Sequence, residues 1–117
     1  MKKILLLGRE SRLRDEIESY LITNNYDSIA ILPKDIDFSH DLSEVYSHCI
    51  IIHEFPVFRN FETLERIMKL HPCKMIIITS DYSLKFKQEI TKCGNADVIY
   101  RPFLPEQLIA HLTQDKH

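Results

Sequence analysis

The chain is predicted to fold as a doubly wound α/β domain, a five-stranded parallel sheet in the order 2-1-3-4-5 with helices on both faces. Short aliphatic runs without alternation recur along it, the pattern of strands covered on both faces. Apolar residues at helical spacing fill the intervals between those runs. Prolines and a glycine fall where elements should end.

The first run is Ile4-Leu5-Leu6-Leu7, followed by a helical stripe of Leu13, Ile17 and Leu21. Residues 28–32 make a weaker strand, and residues 35–47 a short helix suggested by Leu42, Val45 and Tyr46. The second run, Cys49-Ile50-Ile51-Ile52, precedes the stripe Phe61, Leu64 and Met68. Met75-Ile76-Ile77-Ile78 is the third, followed by Phe86, Ile90 and Cys93. Residues 96–100 form the last strand, and Leu108, Ile109 and Leu112 mark the last helix. Pro56, Pro72, Pro102 and Pro105 sit at boundaries, and Gly94 ends the helix before the last strand. Ile4, Leu6, Ile50, Ile52, Ile76 and Ile78 are expected to be nearly fully buried.

The 117 residues suit one domain spanning 1–117. With 44% apolar residues the chain is expected to be globular. A net charge of −2 and a pI near 6.3, with no basic run, argue against direct nucleic-acid binding. The apolar run after Met1-Lys2-Lys3 is too short for a signal peptide or a membrane span. The three cysteines, Cys49, Cys73 and Cys93, are odd in number and lie in or beside apolar segments, so reduced thiols in a cytoplasm are expected.

Ligands of an open α/β sheet bind beyond the carboxyl ends of its strands. Those ends carry Gly8, Arg9 and Glu10 after the first strand, His53 and Glu54 after the third, Thr79 and Ser80 after the fourth, and Arg101 and Pro102 after the fifth. No GxSxG, HExxH or glycine-rich phosphate loop occurs, and two glycines are too few for a nucleotide-cradling turn. Cys93 falls on the stripe with Phe86 and Ile90, which favours packing over reactivity. His48, Cys49, His71 and Cys73 gather at the amino edge of neighbouring strands, but their spacing is not that of a zinc site, and buried cysteines are ordinary core.

Three segments resemble a response-regulator receiver domain of the chemotaxis-regulator kind, which is flavodoxin-like in fold: KKILLLGRESRLRDEI, KMIIITS and CGNADVIYRPFLPEQL. The resemblance covers residues 2–112, and the last segment is its most specific part. It implies a module of two-component signal transduction, bacterial and cytoplasmic. In that family two carboxylates after the first strand hold Mg²⁺; Gly8 and Arg9 stand there here. The phosphate-accepting Asp is replaced by His53, the Lys by Arg101 and the switching aromatic by Val98, while Thr79 keeps its type. Mg²⁺ wants oxygen ligands, and an acyl phosphate needs a carboxylate, so the degenerate pocket Gly8, Arg9, Glu10, His53, Glu54, Thr79 and Arg101 is expected not to be phosphorylated. Phosphorelay through His53, rescued by Glu10 or Glu54, ranks last among the readings.

Glu10 and Glu54 could pair with Arg9 and Arg101 as a salt-bridged former active site; the sharper alternative is an anion pocket of Arg9, Thr79 and Arg101. The expected function is an atypical pseudo-receiver, not an enzyme and needing no cofactor or metal, that acts through protein–protein interaction. By the resemblance, the partner meets the fourth helix, fifth strand and fifth helix, within residues 82–113. Lys85, Lys87, Gln88, Lys92, Val98, Tyr100, Gln107 and His111 are the candidate surface, with a homodimer as an open alternative. The alternative function is the N-terminal regulatory domain of a longer response regulator or transcription factor.

Overall fold

β1 (Lys3–Leu7) buries four consecutive side chains, Ile4 through Leu7, which only a strand covered on both faces can do. In the computed structural model, which describes residues 3–32, 35, 46–54, 65–67, 74–93 and 96–113, it lies inside a five-stranded sheet. The other strands are β2 (Ser28–Ile31), β3 (Tyr46–His53), β4 (Lys74–Thr79) and β5 (Ala96–Tyr100). The order is β2-β1-β3-β4-β5 and every pair is parallel, as the sequence predicts.

Strand pleating sends alternate residues to opposite faces, so each aliphatic run feeds two cores. On one face Ile4, Leu6, Ile50, Ile52, Ile76 and Ile78, each at most 2% exposed, pack under Ile17 and Leu21 of α1 (Arg12–Thr23) and Leu108 and Leu112 of α3 (Pro105–Thr113). On the other, Leu5, Leu7, Cys49, Ile51, Met75 and Ile77 meet Phe86 and Ile90 of α2 (Leu84–Cys93), together with Ile67.

Local chemistry sets the helix ends. Ser11 caps α1, its hydroxyl accepting from the Arg14 N–H at 3.1 Å. Beyond the helix, Asn25 takes the left-handed conformation at φ 66°, which asparagine tolerates better than most residues. Pro105 opens α3, where a missing N–H costs nothing, and Gln107 Oε1 accepts from the Leu104 N–H at 2.8 Å.

The structure corrects one boundary. β3 begins at Tyr46, so Tyr46 and Ser47 leave the short helix expected over 35–47 and join the sheet. Tyr46 is buried and pairs with Lys3, while the register shift before Ile4 leaves Ser47 as the extra residue. Burial of an aromatic against the sheet outweighs the helical spacing of Leu42, Val45 and Tyr46. Residues 36–45, the stripe of Phe61, Leu64 and Met68, Pro56, Pro72 and Gly94 lie outside the described residues. Among the described residues, no helix is long and apolar enough to cross a membrane.

Candidate functional site

The parallel register of β3 and β4 sets His53 beside Thr79 at the carboxyl edge. His53 Nδ1 and the Thr79 hydroxyl share a hydrogen bond of 2.9 Å. The same hydroxyl oxygen accepts from the Asp81 backbone N–H at 3.0 Å. The hydroxyl can donate to Nδ1 or accept from it, according to the imidazole tautomer. Phe86 of α2 stacks on the ring, centroids 4.6 Å apart at 22°. Burial lowers the His53 pKa from its ordinary 6.5, and the Asp81 carboxylate only partly opposes this.

Asp81 is itself held. Its Oδ1 accepts from the Ser83 N–H at 2.9 Å, and Ser83 Oγ in turn accepts from the Phe86 N–H at 3.2 Å, capping α2. The Ser83 backbone bond, then the Ser83 side chain, hold the Asp81 pKa below the usual carboxylate value; the nearby His53 adds a smaller push. The turn that starts α2 therefore also places the carboxylate near the histidine.

At the end of β1, Gly8 is buried against Ile52, and a Cβ there would meet Ile52 Cδ1 at 3.0 Å and Cβ at 3.2 Å. The Gly8 carbonyl accepts from Arg14 Nη1 at 3.0 Å. Arg9 donates from Nε and Nη2 to Glu54 Oε2 at 3.2 and 3.1 Å, tying the β1 loop to the end of β3. This is one of the ion pairs the sequence suggests. Glu10 and Arg101 form none among the described residues.

Arg101 is fixed through its backbone: its N–H donates to the Thr79 carbonyl at 2.9 Å, and its own carbonyl accepts from the Tyr82 hydroxyl. The Arg101–Pro102 peptide is cis. Tyr82 stacks on Tyr100, centroids 5.0 Å apart. The structure thus brings His53 and Thr79 together, and separately Arg9 and Glu54. Asp81 and Arg14 escape the sequence reading, as do the stacking of Phe86 on His53 and of Tyr82 on Tyr100. The Asp81-Tyr82-Ser83 step before an apolar helix is a capping signal that could have flagged Asp81 and Phe86.

Of the candidate surface residues, Lys85, Lys87, Gln88, Lys92 and Gln107 are exposed, and Gln107 also serves the α3 cap. Val98, Tyr100 and His111 are half-buried: Val98 packs against the core, Tyr100 under Tyr82, and His111 Nδ1 meets Asp97 Oδ2 at 2.9 Å. Lys74 Nζ reaches the same oxygen at 3.2 Å. Burial works against ionised Asp97, but the hydrogen bonds from His111 and Lys74 outweigh it and lower its pKa.

Among the described residues, no three His, Cys, Asp or Glu side chains are grouped to hold a metal ion. Cys49 is a buried free thiol, while His71 and Cys73 lie outside the described residues.

The chain has the fold of chemotaxis-type receiver domains. It superposes on the chemotaxis protein CheY4 of Vibrio cholerae with a TM-score of 0.76 at 21% identity, covering 96% of each chain. A CheY-like receiver domain from Methanospirillum hungatei gives 0.75 at 19% identity, over 96% of this chain and 90% of that one. The response regulator DrrB of Thermotoga maritima, an OmpR/PhoB homolog, gives 0.73 at 20% identity, over 96% of this chain and 51% of that one. No protein-family model and no curated sequence matches the chain.

Proposed function

We propose that this chain is a receiver-like signalling module that works by binding a protein partner and is neither phosphorylated nor catalytic. The observation that carries the reading is His53. At the end of β3, where receiver domains carry their phosphate-accepting Asp, it stands bonded to Thr79 and stacked under Phe86. The crevice is filled by contacts of its own side chains, and an imidazole offers no carboxylate for an acyl phosphate.

The Mg²⁺ that such a phosphorylation requires does not fit the residues present. Gly8 has no side-chain ligand atom and its carbonyl is taken by Arg14, and Ile52 crowds the space in which a longer side chain would begin. Arg9 and Arg14 bring two guanidinium groups to the end of β1, and the Glu54 carboxylate is already engaged by Arg9. Mg²⁺ needs near-ideal octahedral oxygen coordination, which this set does not supply.

The proposed partner surface spans α2, β5 and α3. Exposed Lys85, Lys87 and Lys92 on α2 give it a basic character. A second reading, the regulatory half of a longer response regulator, draws on DrrB, of which the matched region is about half.

The test is incubation with acetyl phosphate or phosphoramidate and Mg²⁺, read by intact mass. No added phosphoryl group is expected. Stoichiometric addition would overturn the reading, and mapping it to His53 or a carboxylate would name the acceptor.

A further inference from the structure

A cavity of about 250 Å³ opens between α1 and α3, and neither His53, Thr79 nor any residue of α2 lines it. Leu13, Ile17 and Tyr20 of α1 form one wall, and Phe103 and Leu108 form the other. Arg101, Glu16, Pro102 and Pro105 complete the lining. The walls are aliphatic and aromatic, and the charges around them are unequal. Glu16, also on the lining, turns its carboxylate to Arg12 at 3.1 Å. Arg101 is half-buried, and among the described residues its guanidinium makes neither an ion pair nor a side-chain hydrogen bond.

We infer that this cavity binds a small organic acid, its apolar body between α1 and α3 and its carboxylate on Arg101. Pockets for small molecules are mostly apolar with a few polar groups that fix orientation, and the Arg101 guanidinium is a planar donor fork matched to a carboxylate. The volume suits a single ring or a short chain rather than a nucleotide. Charge decides the class: with Glu16 matched by Arg12, the lining is left with the positive charge of Arg101, which favours an anion over a neutral or cationic ligand of the same shape.

Arg101 also links this cavity to the receiver crevice through its backbone. Arg101 donates its N–H to the Thr79 carbonyl, and Thr79 holds His53. The site would therefore give the domain a chemical input connected through Thr79 to His53, the position where receiver domains take their phosphoryl signal.

The probes are 3-phenylpropionate, indole-3-propionate and hexanoate, titrated into the ¹⁵N-labelled 117-residue chain, with 3-phenylpropan-1-ol as the neutral match. Saturable amide shifts are expected over residues 13–20 and 101–108, with the phenyl alcohol roughly tenfold weaker than the phenyl acid. Arg101→Gln should bring the acid down to the alcohol, with folding checked by the spectrum itself. If that variant fails to fold, the acid–alcohol difference in the unaltered chain still decides. The inference is overturned if none of the three acids saturates, if acid and alcohol bind equally, or if the shifts lie elsewhere. It is also overturned if the same amides shift with protein concentration alone, which would make a second copy the occupant.

Discussion

His53 and His111 sit at opposite edges of one sheet, and opposite kinds of partner hold them. At the carboxyl edge, His53 meets a hydroxyl and an aromatic ring. At the amino edge, His111 meets a carboxylate that Lys74 also holds. The carboxyl edge of a parallel sheet is where ligands usually bind. Here its imidazole is pushed toward the neutral form, and its Arg9 is matched by Glu54. The edge expected to handle charge has been made self-sufficient, while the amino edge keeps Asp97, Lys74 and His111 in a partly exposed polar cluster. Packing should therefore dominate the stability of one edge, and screened charge that of the other.

The largest effect that would test this contrast comes from Phe86→Ala. Phe86 is 6% exposed, packs in the core with Met75 and Ile77, and covers His53. Its truncation should cost about 3 kcal/mol in urea unfolding, from lost transfer energy and the cavity left behind. Asp97→Ala at the other edge should cost less than about 1 kcal/mol, because its partners are 20–30% exposed and solvent screens them. Equal costs would break the comparison.

Acid should separate the edges next. The folded-state pKa of His53 is depressed below 6.5, so the native state binds fewer protons than the unfolded chain in that window. Its contribution is complete above pH 6.5 and fades as pH falls from there through the folded value. His53→Gln should flatten that part of the stability profile. Asp97 is depressed below 3.8, so its contribution persists through the histidine range and fades only as pH drops through the more acidic window. Asp97→Asn should leave the neutral-to-mildly-acid slope unchanged and remove the later loss. Unfolding midpoints of both variants across pH check the order; a His53→Gln profile parallel to that of the unaltered chain would remove the histidine from the account.

The sheet was legible because its chemistry is local: three short aliphatic runs without alternation, two of them rich in β-branched Ile50 through Ile52 and Ile76 through Ile78, suit strands buried on both faces better than helices. The strand ends were legible for the same reason, which put His53, Thr79 and Arg101 at one edge before any coordinates. What the sequence did not carry was direction. The residue order offers Arg9 and Arg101 alike as partners for Glu10 and Glu54, and does not say that Arg9 takes Glu54 while Arg101 lines a cavity between α1 and α3, because side-chain choice depends on neighbours distant in sequence. The bond between His53 and Thr79 joins residues 26 apart and exists only through the β3–β4 register. Tyr46 was misplaced by the same limit: helical spacing is local, whereas its pairing with Lys3 is not.

The smallest effect concerns partner binding, and there the expected result is near silence from the crevice. In receiver domains the pocket and the surface communicate because a phosphoryl group draws the Thr toward it. Here the Thr79 hydroxyl is already committed to His53 and to the Asp81 N–H. Val98, at the position of the switching aromatic, packs against the core. A conformational equilibrium moves only by the difference in affinity that a ligand shows for its two states. Removing the imidazole alters local packing without adding or deleting such a ligand. His53→Ala should therefore leave the affinity for an identified partner within about threefold, or ~0.7 kcal/mol. Charge reversal at Lys85, Lys87 or Lys92 should weaken it more, because these side chains stand exposed on the proposed surface and desolvated charges at an interface act directly. Each variant needs circular dichroism and one titration. If a folded His53→Ala loses the partner while the lysine variants retain it, the carboxyl edge is the working site, and its neutral, self-bonded arrangement is a docking feature rather than a silenced pocket.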